Sequence, residues 1–427
     1  MALTLALLLL FIFVGIPVAA ALGLLGLSLD WVYMDGRLSR GMGEFLWEGG
    51  RNTLLVAIPM FVLLGELMLR AGIARRMYDA IALWLSWLPG GLMHANIGTC
   101  TFLAASSGSS VATAATVGTV AYPQIETKGY DEGLFLGSIA AGGTLGILIP
   151  PSINLILYGL ITNNSVPELY LAGLIPGLLL AAVFMITIVI LCVVHGRLSG
   201  DRVASSWRAR IAALPHLLPP LLLFAVVVGS IYAGIATPTE SASVGVAAAL
   251  FLAWSLGGLN FQVLCEALEG TLRTTAMIML IVTAAMFLNF VLGFIGVTQA
   301  LTSTMRAFEL TPLETILLVV VFYIVLGMFM ETLAMMLTTV PLVYPIVTQA
   351  GFDGIWFGVL ITLLIEMALI TPPIGLNLFV VQGVRLKGGR IKDIFLGVLP
   401  FAVTILVMIG LLIAFPTLAL WLPGAFF

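Results

Sequence analysis

Apolar runs bounded by charge or by Gly, Pro and Asn recur along the whole chain, at 5–29, 52–70, 132–158, 168–195, 214–236, 239–256, 272–295, 355–380 and 394–420. A helix needs roughly 20 apolar residues to cross a bilayer, so these nine runs predict nine crossings. Stretches such as Leu178 to Val194 and Val398 to Phe415 are apolar on every face. A lipid-facing barrel strand would alternate apolar and polar positions over about ten residues, so a barrel is excluded. Two further stretches, 92–127 and 312–350, are long enough for helix pairs but are interrupted midway by Ser and Gly or by Glu and Thr. That is the pattern of a re-entrant hairpin. The predicted fold class is an all-α polytopic membrane protein.

Composition agrees: 61% of the 427 residues are AVILMFWYC, and only 17 Lys/Arg and 20 Asp/Glu are present, against about a quarter charged in a soluble domain. The net charge of −3 and the lack of a basic run interleaved with aromatics exclude nucleic acid as a partner. Cys100, Cys192 and Cys265 are far apart and form neither a metal-ligand spacing nor a disulfide framework. His94, His195 and His216 build no Ser/His/Asp or HExxH arrangement, so there is no candidate catalytic residue and the chain is not expected to be an enzyme. The run Leu5 to Leu29 lacks a basic leader and is too long for a signal core, so it is expected to be the first span. The linkers carrying Arg197, Arg202, Arg208 and Arg210, and Arg385, Lys387, Arg390 and Lys392, should be cytoplasmic. Threading the spans between them puts the N-terminus in the cytoplasm and the C-terminus outside.

The most informative pattern is internal. Tyr122-Pro123 precedes Pro150-Pro151 by 27 residues (123 to 150), and Tyr344-Pro345 precedes Pro372-Pro373 by the same 27 (345 to 372). The offset between the copies is 222 (150 to 372), and on it Gly129-Tyr130-Asp131 falls on Gly351-Phe352-Asp353. This is a two-fold repeat. Five predicted crossings separate the start of one copy from the start of the next, so the second enters the membrane from the opposite side, as in inverted-repeat transporters. Residues 1–213 form the first repeat, 214–236 a central linking span and 237–427 the second.

The first hairpin tip, Ala104 to Ser110, clusters hydroxyls and glycine that suit a break lined by protein or water. Its partner is Gly142-Gly143-Thr144-Leu145-Gly146 with Pro150, Pro151, Ser152 and Asn154, where prolines and glycines free backbone carbonyls. The second copy supplies Gly327, Glu331 and Thr332 at its tip and Thr371, Pro372, Pro373 and Asn377 at its broken helix. Close packing between helices and simple proline kinks are the alternative for any one of these motifs. At the 222 offset Ser109 corresponds to Glu331 and Thr144 to Glu366, so carboxylates stand where the first copy has hydroxyls. Ionisable groups within a membrane are costly and are default functional candidates, to ligate or balance a cation, carry a proton, or donate hydrogen bonds while neutral. Snorkelling or a buried structural bond is the alternative. Arg51 and Arg273 are expected as interfacial anchors, and Glu66 as a local pair with Arg70. The stripes Ile73, Met77, Ile81, Leu85 and Val297, Leu301, Met305 predict an amphipathic arm in each repeat.

Five stretches together resemble the large membrane subunit of tripartite ATP-independent periplasmic (TRAP) transporters: Leu54 to Phe61 with Gly65-Glu66, Ser106 to Ser110, Gly146 to Ser152, Ala236 to Ala242 and Thr371 to Asn377. The resemblance covers nearly the whole chain. It implies a sodium-driven secondary importer of small organic acids (dicarboxylate, sugar acid or keto acid) with no cofactor beyond its coupling ions. It also implies a bacterial inner-membrane location, an elevator mechanism, a small four-span membrane subunit and a periplasmic substrate-binding protein as partners. No small-subunit spans precede the first run, so that subunit is expected as a separate chain. Carried onto this sequence, the resemblance puts sodium at Ser106, Ser107, Gly143 and Thr144 and at Gly327, Thr332, Ile370 and Thr371. The substrate falls near Ser109, Ser110, Asn154, Glu331 and Asn377. The alternative is a self-sufficient proton- or sodium-coupled organic-anion symporter using Glu331 and Glu366.

Overall fold

The computed structural model describes residues 7, 10, 11, 14–201, 206–385 and 388–427, without the side chains of Glu48, Ala105, Ser106, Ser107, Arg197 and Arg306. Arg202 and Lys387 therefore lie outside the described residues. Among the described residues the regular structure is helical throughout. In chain order come α1 (Val18–Met34), α2 (Met42–Gly50), α3 (Leu54–Arg70) and α4 (Ile73–Leu85). The first helix pair is α5 (Leu92–Ser107) and α6 (Ser110–Ala121), followed by the short α7 (Pro123–Lys128). A discontinuous helix follows as α8 (Glu132–Thr144) and α9 (Ile153–Thr162), and then α10 (Val166–Val194), α11 (Trp207–Ala213), α12 (Leu218–Tyr232) and α13 (Pro238–Ser255). The second half has α14 (Phe261–Ile295), α15 (Val297–Ala307), the helix pair α16 (Pro312–Gly327) and α17 (Thr332–Gln349), and the discontinuous α18 (Gly354–Ile370) and α19 (Leu376–Gly383). It ends with α20 (Ile391–Ala414) and α21 (Thr417–Phe426).

Among the described residues five helices are long and apolar enough to cross a membrane, or up to six if the bent pair α3–α4, with its 67° angle, is one span. Further apolar helices of 10–17 residues are shorter than the roughly 20 residues that cross a bilayer unaided. The chain is thus a polytopic helical membrane protein.

Several boundaries differ from the apolar-run reading. Leu7, Leu10 and Phe11 are helical, Pro17 precedes α1, and α1 runs past Leu29 to Met34, carrying Asp30. Asp30 is fully buried, and its carboxylate accepts the backbone N–H groups of Leu38 at 3.1 Å and Ser39 at 2.9 Å. A carboxylate so satisfied can sit inside a helical run that hydropathy would end there. α14 begins at Phe261, capped by Asn260, because its first turns are amphipathic rather than apolar. Phe415-Pro416 divides the last run into α20 and α21.

Two sets of helices pack closely, joined to each other through α14 against α17 and α3 against α5. α14 lies along α1 and α3, and α3 along α13. α8 lies along α20 and α5, and α10 along α20 and α21. The α8–α20 contact is backbone on backbone: a Cβ on Gly397 would meet the Gly133 carbonyl oxygen at 1.9 Å, and one on Gly137 would meet the Gly397 oxygen at 2.3 Å. Only glycine permits that approach. The same two helices are clamped at one end by Arg385, whose side chain is 4% exposed. Its guanidinium donates twice to Glu132, at 2.6 Å each, and once to Asp393 at 3.4 Å. The hydrogen bonds to Glu132 hold the Arg385 guanidinium above its usual range. The two arms occur as α4 and α15; Ile73, Met77 and Ile81 are buried while Arg75, Arg76 and Asp79 face outward.

Candidate functional site

Both helix pairs break where hydroxyls, glycine or acid interrupt the apolar sequence. In the first, Gly108 adopts the left-handed region (φ 58°), and a Cβ there would meet the Pro151 carbonyl oxygen at 2.8 Å. Ser109 turns extended and caps α6, its hydroxyl accepting the Ala112 N–H at 3.4 Å. In the second, Glu331 does the corresponding work with a carboxylate: Oε2 accepts the Ala334 N–H at 3.0 Å and Oε1 accepts the Thr332 hydroxyl at 3.0 Å. An acceptor at the first turn answers orphan N–H groups and the positive end of the helix dipole. Each discontinuous helix breaks at its proline pair, with Pro150-Pro151 and Pro372-Pro373 both cis. Ser152 recaps α9, accepting the Leu155 N–H at 3.2 Å while donating to the Ile147 carbonyl.

Broken helix and tip meet closely in both halves. A Cβ on Gly146 would lie about 3.0 Å from the Ser109 carbonyl, and one on Gly327 would lie 2.5 Å from the Ala368 Cβ. Ser110, Gly143, Thr144 and Asn377 form one buried cluster. The Ser110 hydroxyl donates to the Thr144 carbonyl at 3.4 Å, and the Asn377 amide donates to the Ala140 carbonyl at 3.0 Å. A Gly143 Cβ would meet Asn377 Nδ2 and the Ser110 carbonyl oxygen, each at 3.2 Å. Asn377 Oδ1 is buried with no hydrogen-bond partner. A buried free amide oxygen amid backbone carbonyls is a donor set that suits an alkali cation. In the second half Ile370 is fully buried, and the Thr371 hydroxyl donates to the Met367 carbonyl at 2.6 Å.

The two tips converge on a cavity of about 700 Å³ whose walls include Ser109, Ser110, Asn154, Glu331 and Thr332. The facing wall comes from α3, through Val62, Gly65, Glu66 and Leu69, and from α14, through residues between Thr274 and Ile281. Asn154, 4% exposed, brings an amide nitrogen that has no partner. The charged lining residues are Glu66 and Glu331, both acids. Five expected residues are thus brought to one space. Gly143, Thr144, Gly327, Ile370, Thr371 and Asn377 are not among the residues lining this cavity, and Asn377 joins the Gly143 cluster. The side chains of Ser106 and Ser107 lie outside the described residues.

Glu66 was expected only as an ion-pair partner. It does pair with Arg70 at 2.9 Å, and Arg70 also reaches Glu266 at 3.3 Å. Glu66 also lines the cavity, and its carboxylate is pressed against α14 where Gly270 leaves room: a Cβ there would be 2.8 Å away. The sequence signal available for that position was Gly270 itself, a glycine within a long helix. Glu366 is fully buried in α18, off the cavity wall, with neither carboxylate oxygen partnered. Among the described residues no group of three or more His, Cys, Asp or Glu converges as a metal site.

The family model for the tripartite ATP-independent periplasmic transporter, DctM component, matches residues 5–418. The chain belongs to this family. Among its relatives, the C4-dicarboxylate TRAP transporter large permease protein DctM of Pseudomonas aeruginosa is 35% identical over 90% of this chain and 90% of that protein. The sialic acid TRAP transporter large permease protein SiaM of Vibrio cholerae is 32% identical, over 88% of this chain and 87% of that one. The ectoine TRAP transporter large permease protein TeaC of Halomonas elongata is 30% identical, over 88% of each. The crystal structure of the Alcanivorax borkumensis YdaH transporter superposes with a TM-score of 0.59 at 15% identity, covering 97% of this chain and 99% of that chain, which shows a shared fold. As a TRAP large permease the chain is a multi-pass component of a transporter, and its relatives are permeases rather than enzymes.

Proposed function

We propose that this TRAP permease is the transmembrane large subunit of a sodium-driven importer of small organic acids in the bacterial inner membrane. It receives substrate from a periplasmic binding protein and works beside a small four-span subunit. Two inverted repeats build it: both helix pairs act as re-entrant hairpins, and with the discontinuous helices they form a body that slides along α3 and α14 as an elevator. The supporting observation is a cavity in which both tips face α3 and α14. A space shared by two packed groups of helices changes its access when one group slides past the other. Sodium is held near the tips by Ser106, Ser107, Gly143 and Thr144 and by Gly327, Thr332, Ile370 and Thr371, with Asn377 Oδ1 an added ligand to the first set. Substrate binds at Ser109, Ser110, Asn154 and Glu331. The N-terminus is cytoplasmic and the C-terminus periplasmic.

The test is uptake of labelled organic acids into proteoliposomes holding the chain and its small subunit, with and without the binding protein, under an inward sodium gradient. Sodium-dependent uptake only with the binding protein is expected. Uptake driven by a proton gradient and indifferent to the binding protein would overturn the reading and favour a self-sufficient symporter using Glu331 and the unpartnered Glu366.

A further inference from the structure

The tip cavity presents acid without base. Its wall carries Glu66 and Glu331 and, among the described residues, no Lys, Arg or His. The two acids are not alike. Glu66 pairs with Arg70 at 2.9 Å, which brings that site close to neutral. Among the described residues no cation pairs with Glu331, whose oxygens accept the Ala334 N–H and the Thr332 hydroxyl. Those two bonds use about half of the roughly four lone-pair positions of a carboxylate. The dipole of α17 offsets about half a unit of its charge. Negative charge and acceptor capacity therefore remain on the wall at Glu331.

A separate feature of the same cavity suits an anion. Asn154 is 4% exposed and lines the cavity, and its buried amide nitrogen has no hydrogen-bond partner. A buried donor left unpaired is costly, so its acceptor is to be sought in what enters the cavity. The first turn of the 12-residue α6 reaches the same wall through Ser110 and Val111 and brings the positive end of its dipole. Much of the remaining wall is apolar, with Val62, Leu69, Ile278 and Ile281, so a charge that enters must find its partner among these few polar groups.

We propose that the solute of this cavity is a zwitterionic organic acid, whose carboxylate takes the Asn154 amide and the first turn of α6 and whose cationic nitrogen takes Glu331. The inference rests on the tip cavity being the substrate site, and it narrows the organic acid to one class. A dicarboxylate has two negative charges to place beside Glu331 and one donor region to answer them. An amino acid of the same length leaves a single carboxylate for that region and turns the contact with Glu331 from repulsion into attraction.

The test is protection of a cysteine on the cavity wall by added solute, in the purified chain with its small subunit in nanodiscs, near neutral pH and at saturating sodium. Met277→Cys supplies the reporter for an uncharged methanethiosulfonate, and Cys265→Ser removes the exposed native thiol. β-Alanine, 4-aminobutyrate and 5-aminopentanoate are compared with succinate, glutarate and adipate, in which a carboxylate stands in place of the ammonium group. In at least one pair the amino acid is expected to half-protect at a concentration lower by about fivefold or more, because a unit charge several ångströms away acts on the two groups with opposite sign. Glu331→Gln should shift that ratio by about fivefold or more toward the dicarboxylate. Asn154→Leu should weaken both members of the pair and leave their ratio unchanged. Dicarboxylates that protect as well as their amino acid partners in every pair, or a ratio unmoved by Glu331→Gln, overturn the zwitterion while leaving the cavity as the substrate site. Absence of protection by all of these solutes overturns the substrate reading of the cavity and the inference with it.

Discussion

Replacing Gly397 by alanine tests the packing of α20 against α8. A Cβ at this position in α20 would stand 1.9 Å from the Gly133 carbonyl oxygen, 2.2 Å from its carbon and 2.8 Å from the Leu134 nitrogen. All three are backbone atoms of α8, so no side chain can swing away. Reaching ordinary contact requires α8 and α20 to part by more than about 1 Å, and a gap of that size forfeits a quarter to a half of each neighbouring contact. Overpacking of this kind costs about 1–3 kcal/mol, while removing a helical glycine returns about 0.5–1 kcal/mol. The net expectation is a loss of about 1–2 kcal/mol. Gly410 lies on the same helix with nothing within 4 Å of its would-be Cβ, so Gly410→Ala should be neutral or gain up to about 1 kcal/mol. The assay is unfolding in mixed micelles titrated with SDS, followed by the fluorescence of the eight tryptophans. The two variants should separate by about 2 kcal/mol, with opposite signs against wild type. If Gly397→Ala unfolds no earlier than Gly410→Ala, the backbone approach of α8 and α20 is refuted.

Two further outcomes follow from hydrogen bonds at the ends of helices. Arg385→Met removes the double bond to Glu132 and should lower stability by about 1–3 kcal/mol, less than a fully buried pair because Glu132 is partly exposed; adding Glu132→Gln should recover part of the loss in the same SDS titration. Glu331→Ala deletes the acceptor for Ala334 and should cost about 0.5–2 kcal/mol of stability. Glu331→Gln keeps an acceptor and should approach wild-type stability while still lowering sodium-dependent uptake, so equal uptake in Glu331→Gln and wild type would remove the carboxylate from the transport site.

What could be read from the sequence follows from how local each signal is. The breaks at Gly108 and before Glu331, and the interruptions at the two proline pairs, were visible because Gly, Pro, Ser and Glu each disturb a membrane helix where they stand. The arms were visible because amphipathic periodicity needs only one helix. The position of Asn377 was not legible: its amide meets the Ala140 carbonyl 237 residues earlier in sequence, and no local pattern announces a partner in the other half. Glu66 was hidden differently, since an acid four residues before an arginine explains itself as an ion pair and gives no reason to look for a cavity wall. The largely apolar middle of α3 and of α14 also lacks the polar face that would show which side each turns to the tips.

The two tips share a capping geometry but not a charge, and this difference bears on how a substrate is held. Ser109 and Glu331 both answer the first turn of the helix they start, and both stand on the cavity wall. A hydroxyl leaves the positive end of the α6 dipole largely uncompensated, whereas the Glu331 carboxylate offsets that of α17. The cavity is therefore polarised along the line between its tips although the sequence offset makes those tips equivalent. An anionic group is stabilised at the α6 end, and a cation at the Glu331 end. A bare anion meets repulsion from Glu331 at that end, while the charge of Glu66 is offset by its ion pair with Arg70.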